Sequence, residues 1–219
     1  KSLLLSAALA AVLLPLTTTT TYAQAGGVDA PKANTRAARK AKDASTKQEV
    51  MFPNSKREEP PQTGDKSLIK KLDSLVELQR DQKADEAIAL ADQIIADPKA
   101  NAFDRGFANY VAANAWLDKD TDSYTQAIAY LNKAIAENSL SNNAHFQMML
   151  QLSNMLKNEE RYPESLAMAD RYLTESGAEN AKAYAAKADT LYRMKRYADS
   201  IDVVKKAMAM GEADDSLTK

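Results

Sequence analysis

The chain contains no cysteine, one histidine and one tryptophan among its 219 residues. The first absence excludes disulfide staples, a thiol nucleophile and the lipidated cysteine of a lipoprotein. A single histidine, His145, excludes a histidine-rich metal site. Glycine is scarce, with six residues, and none forms a phosphate-cradling loop. Beyond the first 25 residues no apolar run approaches the roughly 20 residues that span a bilayer. Charge of either sign is not in excess: 29 basic against 30 acidic residues give a formal net charge of -1. That balance supplies no broad basic footprint for nucleic acid. Adjacent carboxylates at Glu58-Glu59, Glu159-Glu160 and Asp214-Asp215 fall in expected turns or tails, where they serve as solvated charge rather than as acid and base. No catalytic residue, metal or cofactor is therefore expected, and the chain reads as a non-enzyme.

What is present begins with an export signal. Lys1 precedes an apolar run from Leu3 to Leu14, followed by threonines at 17–21 and by Ala23-Gln24-Ala25. This is the order of a secretory signal with a small-x-small cleavage site, too short to act as a membrane span. The expectation is a signal peptide over 1–25, cleavage after Ala25 and a periplasmic protein. Residues 26–66 are rich in Ala, Lys, Arg, Pro, Thr and Gly and poor in large apolar side chains. Such a segment cannot offset the entropy of ordering it and is expected to be a disordered tether. Lys32, Arg36, Arg39, Lys40, Lys42 and Lys47 face only Asp29 and Asp43, so the tether is either a solvated linker or a weak attractor of anionic surfaces.

One apolar island interrupts it, Val50-Met51-Phe52-Pro53, followed by Asn54-Ser55-Lys56-Arg57-Glu58-Glu59-Pro60-Pro61. It reads as a docking motif for a partner or for the chain's own first helix pair, with about 1.5–3 kcal/mol available from burying Phe52. Its charged and proline neighbours argue against a place in the core.

From Lys66 onward the apolar spacing is helical, with turns between. Lys83-Ala84-Asp85-Glu86-Ala87-Ile88, Ser123-Tyr124-Thr125-Gln126-Ala127-Ile128, Arg161-Tyr162-Pro163-Glu164-Ser165-Leu166 and Arg196-Tyr197-Ala198-Asp199-Ser200-Ile201 repeat one pattern. Their fifth residues, Ala87, Ala127, Ser165 and Ser200, lie 40, 38 and 35 residues apart. Ser123 and Gln126 have the spacing of a capping box, Pro163 fits a first turn, and Gly177 and Gly211 fit helix ends. Short side chains allow close helix approach, so Ala113, Ser153 and Ala188 on first helices, with those four on second helices, are expected contact points. Trp116, Leu156 and Leu191 fall at the bulky position between repeats. His145, beside Asn142 and Asn143, is expected at the surface or as a cap.

Residues 67–211 resemble four tetratricopeptide repeats, at about 67–100, 103–138, 144–177 and 180–211. The resemblance implies an all-α fold of antiparallel helix pairs stacked as a right-handed solenoid. Residues 212–219 then read as a tail or the start of a further helix, as in a longer array. Ala84 in place of an aromatic, and Ser165 and Ser200 in place of Ala, mark departures from the family pattern. The family likeness implies a binding scaffold whose groove is formed by the first helices. Tyr110 and Asn114, then Gln147, Asn154 and Lys157, then Lys182, Tyr192 and Arg193 occupy corresponding turns. Asn114 and Asn154 match the groove asparagines of peptide-binding members, whose amides donate and accept at once. Lys157, Lys182 and Arg193 would give that groove a basic side suited to an acidic ligand. The arrangement of signal, basic tether, Phe-Pro motif and divergent repeats is also similar to exported repeat proteins found with TonB-type energy-transduction systems. A protein or peptide partner in the envelope, such as a component of those systems, is the expectation; an accessory binding domain of a cell-wall or polysaccharide enzyme is the alternative. Sequence beyond Lys219 would separate the two.

Overall fold

The computed structural model describes residues 50–119, 124–178 and 181–210, all in one compact unit beginning at Val50. The expected signal, the basic stretch of the tether, Ser123 of the expected capping box and residues 212–219 lie outside them. Among the described residues eight helices follow in order: α1 (Ile69–Arg80), α2 (Ala84–Ile95), α3 (Ala102–Leu117), α4 (Thr125–Glu137), α5 (Asn142–Asn158), α6 (Tyr162–Ser176), α7 (Ala181–Arg193) and α8 (Tyr197–Ala209). There is no strand among the described residues. The helices stack as antiparallel pairs in an all-α repeat of tetratricopeptide type, each pair packed on the next.

The small residues sit where close approach requires them. Ala87, Ala113, Ala127, Ser153, Ser165, Ala188 and Ser200 are all buried between helices, and Leu156 and Leu191 fill the gaps beside them. Helix starts are set by local chemistry. The side chain of Asn101 accepts from the Asp104 N–H (3.0 Å) while the Asp104 carboxylate accepts from the Asn101 N–H (2.9 Å), a capping box that opens α3. Ser141 caps α5 through the Ala144 N–H, and Pro163 lies in the first turn of α6.

Among the described residues three hairpin turns are the same turn. In each, a residue with positive φ, Gln82, Glu160 or Lys195, ends the first helix. The next N–H reaches five residues back: Lys83 to the Leu78 carbonyl (2.9 Å), Arg161 to Leu156 (2.8 Å) and Arg196 to Leu191 (2.9 Å). These are Schellman closures with a non-glycine residue in the left-handed position. They set the angle at which each second helix folds back, so the repeat exists in hydrogen bonds as well as in sequence.

The stack is not uniform. The packing of α4 against α5, between the second and third pairs, is the sparsest of the three junctions between successive pairs. The turn across it, residues 138–141, starts with Asn138 in the left-handed region (φ 49°) and presses Ser139 onto α3. A Cβ on Gly106 would lie 2.4 Å from the Ser139 hydroxyl, so only glycine permits that approach.

The expectation of disorder through residue 66 does not hold for residues 50–66. They form an extended strap laid along the helix ends of the third, second and first pairs, in that order. Phe52 is 6% exposed and belongs to the main core, so the inference that its neighbours exclude it from the core is also corrected. The neighbours stay in solvent while the ring alone turns inward.

Candidate functional site

Two surfaces carry the residues singled out from the sequence. The first is the face of the first helices. Tyr110, Asn114, Gln147 and Lys157 are half-buried there, while Asn154, Lys182, Tyr192 and Arg193 are exposed. Its charge differs from the expected basic side. Asp189 on α7 accepts from Lys157 Nζ of α5 (2.7 Å) and from Arg193 Nε one turn on (3.2 Å). The guanidinium of Arg193 is held above its ordinary pKa by the Asp189 charge and by its bond to Tyr162. Two of the three cations are thereby committed to the Asp189 carboxylate. Tyr192 packs on Tyr197 with ring centroids 5.3 Å apart.

The second surface is the bed of the strap. Phe52 meets Phe146 of α5 edge-on (centroids 5.0 Å apart) and Tyr172 of α6 (6.0 Å), which also touch one another (6.2 Å). It docks on the third helix pair rather than the first, because the third pair is where two rings on facing helices leave an edge free. Val50, Met51 and Pro53 remain exposed. The Met51 N–H donates to Asn143 Oδ1 (3.2 Å), and Gln147 Nε2 approaches Met51 Sδ at 3.5 Å, so one groove residue and one motif residue meet at the edge of the third pair. Lys56 N–H donates to the Glu175 carbonyl at the end of α6 (3.1 Å).

Arg57, which no sequence pattern marked, holds the strap to the sparse junction. Its Nε donates to Asn138 Oδ1 (2.6 Å), its Nη1 to Asn142 Oδ1 (2.6 Å), and its Nη2 to the Asn138 (2.8 Å) and Leu140 (2.9 Å) carbonyls. Burial lowers the pKa of this guanidinium against the opposing pull of Glu59 and Glu175. The Asn142 N–H donates to Glu59 Oε2 (3.0 Å), and Gln62 Nε2 to the Ser139 carbonyl (3.0 Å). Farther on, Asn101 Nδ2 donates to the Thr63 carbonyl and the Asp65 N–H to the buried Asp104 carboxylate, both at 3.0 Å. Two of the Arg57 acceptors are carbonyls at a helix C-terminus and in the turn after it, where carbonyls point outward and a cation is favoured, and Asn142 at the start of α5 adds its side-chain oxygen.

His145 is not a surface or capping residue. It is 0% exposed, edge-on to Phe146 (5.5 Å), and neither ring nitrogen has a hydrogen-bond partner. Burial, aided by the nearby charges of Arg57 and Arg171 and opposed by Glu175, pushes its pKa down to about 4. The signal was in the spacing: His145, Met149, Leu152 and Leu156 share the inward face of α5. Among the described residues no cluster of three or more His, Asp or Glu is placed to hold a metal ion, and no helix is long and apolar enough to cross a membrane.

No family model matches the chain, and no curated protein matches it. Solved structures do. A crystal structure of MamA protein aligns with a TM-score of 0.51 at 16% identity over 66% of this chain and 75% of that one. Another crystal structure of MamA aligns with a TM-score of 0.51 at 17% identity over 67% of this chain and 84% of that one. At that identity the likeness is one of fold, and the fold shared is the tetratricopeptide-type stack of helix pairs.

Proposed function

We propose that the chain is a non-enzymatic scaffold of the bacterial cell envelope that holds protein or peptide partners on the face of its first helices. The observation that carries this reading is the stack itself. Repeated helix pairs present a long surface built from corresponding positions, which suits an extended partner better than a small substrate. On that surface Asn114 and Asn154 offer amides that both donate and accept. Lys157 and Arg193, bridged by Asp189, give alternating charge rather than a basic wall. The partner that suits this face is therefore polar and of mixed charge.

Export to the periplasm, with cleavage after Ala25, belongs to the same proposal and rests on the order of residues 1–25. A component of TonB-type energy-transduction systems is the partner class suggested by the signal, tether and Phe-Pro arrangement. Two experiments test the reading. Mass spectrometry of the mature N-terminus should find it at Gly26; an intact apolar segment in a membrane fraction would remove the periplasmic assignment. Crosslinking capture from native envelope should fall roughly tenfold, the equivalent of 1.4 kcal/mol, when Asn114, Asn154 and Arg193 are replaced by Ala with helicity kept. Undiminished capture would place binding elsewhere.

A further inference from the structure

The strap is held as a bound peptide is held. Between Val50 and Pro61 only the Phe52 side chain is fully buried, Arg57 is half-buried, and most of the residues around them face solvent. The contact rests on two anchors five positions apart: a ring in a pocket of rings, and a guanidinium in a cradle of carbonyls and amides. An extended backbone with an aromatic plug and a charged fork is a recurring form of peptide recognition. We propose that the surface formed by Phe146, Tyr172, Asn138, Leu140 and Asn142 is an acceptor site for a segment of another protein carrying an aromatic residue and, five positions later, an arginine. The chain's own strap fills that site in cis.

The chemistry of the site sets its selectivity. Four acceptors converge on one guanidinium plane, two of them backbone carbonyls at the end of α4 and in the turn that follows. Lysine, with a compact ammonium, cannot reach four acceptors spread in a plane. The Leu140 carbonyl belongs to a buried residue, so an occupant without the fork leaves it unsatisfied. At the other anchor, Phe146 and Tyr172 already lie edge-to-face, and the incoming ring completes a cluster of three. Tryptophan is too large for a site where the native ring is 6% exposed, and an aliphatic side chain loses the edge-to-face geometry.

Occupation in cis determines when a partner can enter. A tethered segment competes at an effective concentration on the order of millimolar, so a free segment of equal affinity displaces little of it. A successful competitor needs tighter anchors, a second point of attachment such as the first-helix face, or a partner that draws the strap's exposed Val50 and Met51 away. Gln147 of the first-helix face touches the strap at Met51, whereas Asn114 and Asn154 are not among the residues that hold Phe52 or Arg57.

The probe is a fluorescein-labelled peptide of residues 50–66. Full-length chain with Phe52→Ala and Arg57→Ala, which empties the site, should bind it saturably by fluorescence anisotropy. The parent chain should bind at least tenfold more weakly, and a peptide with Arg57→Lys should lose at least tenfold on the emptied chain. Absence of saturable binding to an emptied chain of undiminished helicity overturns the proposal, as does equal binding of the Arg and Lys peptides. Should the double variant lose helicity, millimolar unlabelled peptide is added to the parent chain instead. The Lys56 N–H, bonded to Glu175, should then exchange faster, and unchanged exchange overturns the proposal. Peptide-independent dimers of the parent chain in light scattering would make the strap of a second copy the occupant, and would overturn the assignment to a different protein. The same binding assay on a chain also carrying Asn114→Ala and Asn154→Ala should be unaffected, which separates this site from the groove.

Discussion

At the scale of the residue, the third pair contains a buried base that burial keeps neutral. The native pKa of His145, pushed down to about 4, lies below its ordinary value of 6.5. The unfolded chain therefore takes up a proton that the native chain refuses. Stability from this group is complete above about pH 6.5 and is lost as pH falls from 6.5 to 4, a swing of about 3 kcal/mol. Urea unfolding of the parent and of His145→Leu at pH 7 and pH 4.5 isolates the effect from carboxylates that titrate nearby. The variant should lose less stability between the two pH values; equal losses would refute the assignment. The serines that depart from the family pattern have a related explanation. Ser165 Oγ donates to the Ser153 carbonyl (2.8 Å), Ser153 Oγ to the Ser165 carbonyl (3.0 Å), and Ser200 Oγ to the Ala188 carbonyl (2.8 Å). Each hydroxyl remains small enough for helix contact and finds its acceptor on the facing helix. Ser200→Ala, which leaves no donor unpaired, should cost only about 1 kcal/mol in chemical denaturation.

At the scale of the element, Gly177 joins α6 to the strap. It ends the helix in the left-handed region (φ 60°), and a Cβ there would lie 2.2 Å from the Asn54 carbonyl oxygen. Gly177→Ala is therefore strained twice, by its backbone and by the strap above it. The expected result is a helix that forms and a strap end that lifts, read as accelerated exchange of the Lys56 N–H while amides of α5 stay protected. Protection equal to the parent's at Lys56 would show that the strap can shift aside. The same element shows what the sequence made legible. Pro163, Ser165 and Gly177 place its start, its contact with the facing helix and its end through local rules of period and capping. The strap obeys none of those rules. Its pocket is assembled from rings on two helices, and Arg57 is received chiefly by carbonyls and amides of one turn, whose positions depend on how the pairs stack. Phe52 was conspicuous as an apolar residue in a polar stretch, whereas Arg57 was one of many cations. On the first-helix face the positions of Asn114, Asn154 and Arg193 followed from the repeat. The charge around them did not, because Asp189, which holds Arg193 on its own helix, also pairs with Lys157 of the preceding repeat.

At the scale of the molecule, the strap bridges the junction where the helices themselves pack least. Arg57 ties it to the turn between α4 and α5, with Phe52 on the third pair and Asp65 on Asp104 of the second. Removing the fork by Arg57→Ala should let the two halves of the stack move. The cysteine-free chain makes this measurable, since cysteines introduced at the exposed Lys70 and Lys206 are the sole thiols for spin labels. Their distance distribution should broaden in the variant, and superimposable distributions would deny the strap this role. The strap also imposes an order on synthesis. Repeat arrays ordinarily assemble by local steps, each pair needing only its neighbours. Here the hydrogen bonds of Arg57 and Met51 to the body close separations of 81 to 96 residues. At roughly 5–20 residues per second, Phe52 waits on the order of ten seconds on the ribosome before Tyr172 is made. The earliest described residues can settle only once the third pair is made, and their docking links repeat pairs that would otherwise melt one by one.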